Sequence, residues 1–342
     1  MANLIKNSTA VSRTPIFLPK GSSNTYRNTN EFFFYSNSPE EIDTNSLADN
    51  GKWLNKVDVS GNGQIYTWHV NGLSSAINSS ILVYNPNSYS ITISVTNYGT
   101  TLSPAGVTIS DSEAWENYIN GQSKSLTIAA GGFGTLFLLQ NIPSSSVYGV
   151  VARASIIKTG TSTASTATLY DIAYISNSGG ATSCATYVSG KSRGYGDGYF
   201  QTINFGTVEM NSSTEQKAYK IAASEGVFSG SECSTITDPS RSYATEYLAG
   251  GYGQMFSISL PIKNNTSATR SFKVFIGSLG RFAFPFVYME NDIAKYEYIS
   301  GFSYVDIIQT DTIAPGATTT PKFTLVIPAV SSTPYVIGVR PI

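Results

Sequence analysis

The chain has 342 residues, of which 41% are hydrophobic and only 13% are charged, and its formal net charge is −1. This hydrophobic share can form a core, so the composition excludes a disordered chain, and the scattered Lys and Arg residues argue against a nucleic-acid groove. No stretch reaches the about 20 apolar residues that would span a bilayer, so we expect no membrane insertion.

The first segment, residues 1–30, is predicted to be an extended polar arm, rich in Asn, Ser and Thr. It lacks an apolar h-region, so no secretory signal peptide is visible. A short apolar patch, TPIFLP, could add an edge strand to a neighbouring copy, and the alternative is a disordered tail. The candidate assembly residues are Thr14, Pro15, Ile16, Phe17, Leu18 and Pro19.

From residue 31 onward, apolar and polar residues alternate with a period of two, which predicts many short strands. Clusters such as NPNS, SGNG and KNNTS between the strands predict turns. The segment 110–122 predicts one short helix with a Ser or Asp cap. The residues predicted to share one strand face are Ile91, Ile93 and Val95 in one strand, and Phe272, Val274 and Ile276 in another.

These patterns predict an all-β fold with two tandem, related antiparallel β-sandwiches, jelly-roll or immunoglobulin-like, behind the extended N-terminal arm. The arm is residues 1–30, the first sandwich residues 31–175, and the second sandwich residues 176–342. The polar stretch ISNSGGATS marks the predicted seam between the two sandwiches.

An internal duplication underlies this division. IAAGGFGTLFLLQNIP at 128–143 matches IAPGATTTPKFTLVIP at 313–328, and AWENYING matches AKYEYISG further along the chain. Asn85 aligns with Asn264 in another matched strand–turn–strand unit. Because the matches keep their order at nearly constant offsets, we predict that about half of the chain is repeated.

The residues of the repeated motif are predicted to have structural rather than catalytic roles. Gly131 and Gly316 are predicted to supply a positive φ in a turn. Pro143 and Pro328 are predicted to end strands where no ladder N–H is needed. A catalytic residue would normally be present in one copy and absent from the other.

Two cysteines, Cys184 and Cys233, are too few for a disulfide framework. They could form one bridge within the second half, or they could form bridges between chains. They could equally remain as thiols, depending on the redox compartment.

The one histidine, His69, would have to serve any Ser-His-acid triad. We interpret it instead as a strand histidine that is hydrogen-bonded to a neighbour or to water. One His and two Cys cannot form a zinc or copper site with N and S ligands alone, so we expect no transition-metal cofactor.

Calcium needs only oxygen ligands, and Asp43, Asp49 and Asp58 are the possible source. Their spacing matches no EF-hand loop, so capped turns are the favoured interpretation and no cofactor is expected. The glycine string at Gly194, Gly196 and Gly198 is followed by neither a helix nor a Lys-Ser/Thr pair, so it predicts a hairpin or a closely packed strand rather than a phosphate loop.

Enzymatic and sugar-binding alternatives rest on weaker signals. Glu225 and Glu232 flank GVFSGS, but nothing distinguishes them from surface acids, so no hydrolase is predicted. Exposed Trp and Tyr rings could form a sugar platform, because they offer an apolar face with a polar edge. The Trp residues are Trp53, Trp68 and Trp115, and core packing is the favoured interpretation.

The segments FFFYSNSPEEIDTNSLADNGKWLNKVDVSGNGQIYTWHVNGL, ILVYNPNSYSITISV and LTIAAGGFGTLFL carry a resemblance over roughly residues 31–340. They resemble a duplicated β-sandwich module of surface- and spore-associated proteins of spore-forming Gram-positive bacteria, which often accompanies copper amine oxidase N-terminal-like stalk domains. The resemblance implies a location at the envelope or spore surface and no established enzymatic activity.

Together these features predict a non-enzymatic structural protein whose partner is itself, as a homo-oligomer or polymer. It would build a surface layer, a spore-associated layer or appendage, or an intracellular inclusion. Low charge permits close packing of copies, and two similar halves permit contacts that repeat without closing. The alternatives are a module that binds glycans or a host surface, and a double jelly-roll viral capsid subunit.

Overall fold

The computed structural model describes residues 2–19, 23–27, 31–103, 111–175, 188–189, 195–197, 200–221, 235–237, 245–247, 251–290, 292–296, 298–329 and 331–342. Strands dominate this part of the chain, which confirms the predicted all-β fold. Cys184, Cys233, Glu225 and Glu232 lie outside the described residues, so their predicted roles stay predictions. In the described ranges, no helix has the length and apolar content needed to cross a membrane.

The chain forms two compact units. We call Thr29–Tyr199 with Thr235–Glu246 the central unit, and Met1–Asn28 with Phe200–Ser234 and Tyr247–Ile342 the C-terminal unit. This division differs from three consecutive segments, because the predicted arm belongs to the C-terminal unit. Strand pairing between residues far apart in sequence therefore determines the units, and chain order does not.

The central unit contains one α-helix in its described part, α1 (Ser112–Ile119), and short 3₁₀ turns at Thr44–Ser46 and Ala48–Asn50. Its strands are β5 (Phe32–Ser36), β6 (Glu41–Ile42), β7 (Lys52–Trp53), β8 (Asn55–Asn71), β9 (Ile77–Tyr84), β10 (Ile91–Ser103), β11 (Lys124–Ile128), β12 (Phe133–Ile142), β13 (Val147–Lys158), β14 (Thr166–Tyr174), β15 (Val188–Ser189), β16 (Tyr195–Asp197), β20 (Thr235–Thr237) and β21 (Thr245–Tyr247).

Two sheets of the central unit share strand β8. One follows the order β11-β10-β13-β8-β5-β16-β20-β21, and β12, β9 and β14 complete the other against β8. The change of partner occurs at Gly61, where φ is 68°. The prediction of a turn at SGNG was wrong, because these residues lie inside β8. Their glycines let the strand bend, and a side chain at Gly63 would collide with Phe32.

The core of the central unit lies between these sheets, and the strand alternation builds it. Ile91, Ile93 and Val95 are buried as predicted, while Thr92 and Ser94 between them are half-buried. The predicted helix is confirmed as α1, with Asp111 at its N-cap. Asp111 accepts a hydrogen bond from the Trp115 indole at 3.1 Å instead of capping a helix N–H, so it fixes a core aromatic ring.

The strands of the C-terminal unit come from both ends of the sequence. They are β1 (Asn3–Leu4), β2 (Val11–Ser12), β3 (Ile16–Phe17), β4 (Ser23–Arg27), β17 (Phe200–Phe205), β18 (Val208–Met210), β19 (Lys217–Ile221), β22 (Met255–Ser259), β23 (Ile262–Asn264), β24 (Phe272–Ser278), β25 (Phe282–Ala283), β26 (Phe286–Met289), β27 (Asp292–Lys295), β28 (Ile299–Ser300), β29 (Ser303–Gln309), β30 (Thr318–Thr319), β31 (Lys322–Val326) and β32 (Tyr335–Pro341).

Two larger sheets enclose the core of the C-terminal unit. The first has the order β1-β29-β24-β32-β19-β3, with β2 also on β29, and the second has the order β27-β26-β31-β22-β17-β4. Phe272, Val274 and Ile276 are buried in the core, as the alternation predicts. Several pairs, among them β17–β22 and β19–β3, are parallel, which the prediction of antiparallel sandwiches did not include.

Asn85 and Asn264, which the sequence aligns, have equivalent surroundings. The Asn85 side-chain amide donates to the carbonyls of Tyr89, Ile128 and Ala129 at 2.7–3.1 Å. The Asn264 amide donates to the carbonyls of Ala268 and Ile313, both at 2.8 Å. Each buried Asn therefore ties the start of a turn to a distant loop.

Other parts of the two repeated segments are less similar to each other in structure. Gly131 and Gly316 have φ values of 65° and 75°, as predicted, and Pro143 directly follows β12. AWENYING, however, contains most of helix α1, whereas AKYEYISG contains strand β28. The local motif thus recurs in both units, while duplication of the whole halves stays a prediction.

Candidate assembly surface and other sites

The histidine that any triad would need is fully buried in the central unit. The side chains of His69 on β8 and Asp171 on β14 are 0% and 1% exposed, and His69 Nε2 lies 2.9 Å from Asp171 Oδ2. His69 Nδ1 lies 2.7 Å from the Pro39 carbonyl, and Ser36 Oγ is 3.4 Å from Nε2. Both ring nitrogens therefore have an oxygen partner within hydrogen-bond distance, so the buried ring is held from both sides.

This cluster does not have the geometry of a catalytic triad. In a triad the hydroxyl and the acid contact opposite ring nitrogens, whereas Ser36 and Asp171 both lie at Nε2 of His69. Burial and the Asp171 charge raise the pKa of the neighbouring Tyr148 phenol well above its usual value. The arrangement agrees with a strand histidine bonded to its neighbours, and it links strands β5, β8 and β14.

The predicted assembly patch lies at a sheet edge of the C-terminal unit. Ile16 and Phe17 form β3, which pairs in parallel with Lys217 and Ala218 of β19. Ile16 is 59% exposed and Phe17 39% exposed, although Pro15 beside them is buried. Thr14 and Pro19 are exposed, and Leu18 packs partly on the core.

We call residues 2–19 the N-terminal segment, and it covers both edges of one sheet. Strands β1 and β2 pair with β29, while β3 pairs with β19. Between these two edges, the sheet body is β29-β24-β32-β19. Backbone hydrogen bonds at 2.8 Å extend the pairing, from Ile5 N to the Ile307 carbonyl and from Leu18 N to the Ala218 carbonyl. Edge coverage of this kind blocks uncontrolled strand pairing.

A carboxylate on β29 anchors the N-terminal segment. Asp306 accepts two hydrogen bonds from Arg340, at 3.0 and 2.6 Å, and one from Arg13 at 3.2 Å. The Lys273 ammonium nitrogen lies 3.6 Å from Asp306 Oδ2. Burial favours the neutral acid, but Arg340, Arg13 and Lys273 together offset it and hold the pKa of Asp306 below its usual range.

Two further polar contacts join the N-terminal segment to β29. The Ser8 hydroxyl accepts a hydrogen bond from the Asp306 backbone N–H at 3.0 Å. The Tyr296 hydroxyl lies 2.9 Å from the Ile5 carbonyl and 3.1 Å from the Asp306 carbonyl. Burial and the Asp306 charge raise the pKa of Tyr296 to about 12, so this hydroxyl remains a hydrogen donor at neutral pH.

A pocket of about 470 Å³ opens on the second large sheet of the C-terminal unit. Its floor includes Ser257, Tyr288 and Thr324, which lie directly opposite one another on β22, β26 and β31. Lys322 and Glu290 stand at its wall, so its charged side chains are balanced. Burial raises the pKa of Tyr288, and a hydrogen bond with Thr324 offsets part of that effect.

The possible calcium ligands do not converge. Asp43 accepts from the Ser46 hydroxyl at 2.5 Å, Asp49 from the Ile175 N–H at 2.7 Å, and Asp58 from the Thr168 hydroxyl at 2.6 Å. Among the residues that the structure describes, no three His, Cys, Asp or Glu side chains are grouped to hold a metal ion. Calcium binding therefore stays a hypothesis.

The other candidate residues have structural surroundings. Trp53, Trp68 and Trp115 are 8%, 5% and 0% exposed, so none presents a ring face to solvent as a sugar platform. Gly196 lies in β16, where it pairs with Phe33 of β5, and the flanking Gly194 and Gly198 lie outside the described residues. Strand packing therefore accounts for Gly196.

Comparison with known proteins does not identify a family for this chain. No family model matches the chain, and no curated protein matches it. Among solved structures, a mannose 6-phosphate isomerase from Bacillus subtilis is 12% identical over 83% of this chain and 73% of its own, with a TM-score of 0.12. The multicopper oxidase Fet3p is 8% identical over 91% and 63%, with a TM-score of 0.13. Similarities this low carry no inference about fold or function.

Proposed function

We propose that this protein is a non-enzymatic structural subunit that self-associates by exchanging its N-terminal segment between copies. Such a subunit would build a surface layer, a spore-associated layer or appendage, or a protein inclusion. The observation that carries the proposal is the coverage of both edges of one sheet by the N-terminal segment.

The attachment is of a kind that a second copy could supply. It combines two-residue strands and backbone hydrogen bonds with the Arg13–Asp306 pair, the Ser8 and Tyr296 hydrogen bonds and the packing of Leu18 on the core. Strand addition of this type works within or between chains. In an exchanged form, β19 and β29 of one copy would receive the N-terminal segment of the next copy. Repeated head-to-tail contacts build a layer or a fibre when the rotation that relates successive copies does not close them into a ring.

The exposed side chains of the N-terminal segment supply a second contact. Val11 is 40% exposed, Ile16 59% and Phe17 39%, so apolar surface remains outside the sheet edges. A net charge of −1 on 342 residues adds little repulsion between copies. Neighbouring copies could therefore pack closely on this surface.

The test is electron microscopy of the full-length chain beside a variant that lacks residues 2–19. We expect ordered sheets or fibres from the first and none from the second, and a synthetic peptide of residues 2–19 should bind to the truncated chain. Ile16→Asp should abolish assembly, whereas Leu138→Asp, at a residue 46% exposed in the central unit, should not. A full-length chain that stays monomeric at every concentration would overturn the proposal.

A further inference from the structure

We infer that the pocket on the second large sheet of the C-terminal unit is a binding site for a neutral saccharide. The pocket lies on a sheet face and not on a sheet edge, and Ala2 of the N-terminal segment contributes to its lining. The inference rests on a row of hydroxyl groups, on the balance of charge, and on the shape of the cavity.

The hydroxyl row crosses four strands. Tyr288 faces Thr324, Thr324 faces Ser257, and Ser257 faces Thr202 across β26, β31, β22 and β17. Neighbouring strands lie about 4.8 Å apart, so these side chains form a ladder of donors and acceptors about 14 Å long. All four residues are half-buried, and three of them, Ser257, Tyr288 and Thr324, line the pocket, while Thr202 extends the row beyond it.

This face recognises ligands through side chains. The backbone groups of β31 are engaged with β22 on one side and β26 on the other, so an added peptide strand would find no ladder to join there. Hydroxyl groups both donate and accept hydrogen bonds, as the hydroxyl groups of a sugar do. The chemistry of the floor therefore matches a polyhydroxylated ligand.

The charges of the pocket favour a neutral ligand. Lys322 and Glu290 are the charged residues in its lining, and their formal charges cancel. Tyr288 stays protonated at neutral pH because burial raises its pKa. An anionic ligand such as a phosphate would meet the Glu290 carboxylate, and a cation would meet the Lys322 ammonium group.

Size and apolar surface complete the match. A volume of about 470 Å³ falls within the range of ligand pockets, roughly 300–1,000 Å³. The ring of Tyr288 and the side chain of Met289 add apolar surface beside the hydroxyl row. A sugar ring has an apolar face and a polar edge, and an aromatic ring next to hydroxyl groups can contact both.

The experiment is calorimetric titration of the full-length chain with four neutral tetrasaccharides: cellotetraose, chitotetraose, maltotetraose and mannotetraose. We expect at least one to bind with a Kd of about 1 mM or below, and we expect salt to leave its affinity unchanged. Thr324→Val removes only a hydroxyl group and keeps the β-branched shape of the side chain, so it should weaken binding about tenfold without unfolding the sheet.

The matched control is Thr92→Val, which removes a hydroxyl from another sheet row, on β10 of the central unit, where Thr92 contacts Thr127 and Thr159. It should leave binding unchanged. Tyr288→Phe tests the same row from the neighbouring strand and should also weaken binding. The inference is overturned if no tetrasaccharide binds at about 10 mM, or if Thr324→Val binds as tightly as the parent chain.

Discussion

Arg13 and Asp306 are 293 positions apart in the sequence, yet their side chains form an ion pair at 3.2 Å and are only 10% and 8% exposed. The pair joins the N-terminal segment to β29, where Arg340 and Lys273 also approach the same carboxylate. Asp306 therefore keeps two cationic partners when Arg13 leaves. This relationship makes the attachment of the segment separable from the stability of the sheet beneath it.

Replacing Arg13 should release the N-terminal segment. We expect Arg13→Ala to lose about 2 kcal/mol of local stability, because the pair is nearly buried and charge-assisted. Amide exchange in residues 2–19 should then accelerate at least about tenfold, while the global unfolding midpoint changes little.

The control for this change is Lys6→Ala in the same segment. Lys6 pairs with Asp292, but both side chains are about half exposed, at 56% and 50%. Exposed pairs contribute little, so exchange should stay at the parent rate. Equal exchange in Arg13→Ala and the parent chain would show that Arg13 does not hold the segment.

Acidification should weaken the same attachment. The cations around Asp306 lower its folded pKa below the ordinary value of about 4. Its contribution to stability is therefore present above the unfolded pKa, and it is lost as the pH falls through the folded pKa. Protonation also removes the pairing of Asp306 with Arg340 and Lys273 inside the sheet, so we expect the melting temperature to drop below about pH 4.

Other carboxylates titrate in this window, so the comparison with Asp306→Asn decides the assignment. The Asn variant should be less stable at pH 7, because its buried cations lose their carboxylate partner, and its melting temperature should fall less on acidification. Parallel curves for the two proteins would assign the acid sensitivity to other groups.

Removing His69 should destabilise the central unit. His69→Ala leaves the buried Asp171 carboxylate without its hydrogen-bond partner at 2.9 Å, so we expect a loss of about 3 kcal/mol in urea unfolding. Ser36→Ala should cost less than about 1 kcal/mol, because its contact with His69 is long at 3.4 Å.

A double-mutant cycle identifies the pair itself. The double variant His69→Ala, Asp171→Ala should lose less stability than the sum of the two single changes, by about 1–3 kcal/mol. The reason is that the second change removes the carboxylate that the first leaves without a partner. Additive losses would mean that the two side chains do not interact in solution.

The two aligned asparagines should matter equally in their separate units. Asn85→Ala and Asn264→Ala each leave buried carbonyl groups without their hydrogen-bond donor. Each change should therefore lower the free energy of unfolding of its own unit by about 1–3 kcal/mol. Asn265→Ala is the matched control, because Asn265 is exposed and bonds only to the Asn211 side chain through its amide. Its expected cost is below about 0.5 kcal/mol, and a similar loss in all three variants would contradict a specific role for the buried amides.

Sequence patterns by themselves determined the local structure. Alternation identified the buried faces at Ile91, Ile93 and Val95, and the helix around Trp115 was recognised from its capping pattern. Gly131 and Gly316 were recognised as turn residues with positive φ. These predictions succeeded because each depends on residues close together in the chain, whose spacing decides which way a side chain points.

Only the tertiary structure decided which distant segments meet. Nothing in the spacing connects Arg13 with Asp306 or His69 with Asp171, and SGNG became part of a long strand because β8 changes sheets at Gly61. The sequence identifies Ile16 and Phe17 as a candidate edge strand, but it does not predict that they pair with β19. Such pairings depend on the shape and exposed edges of the folded sheets, which no local period encodes.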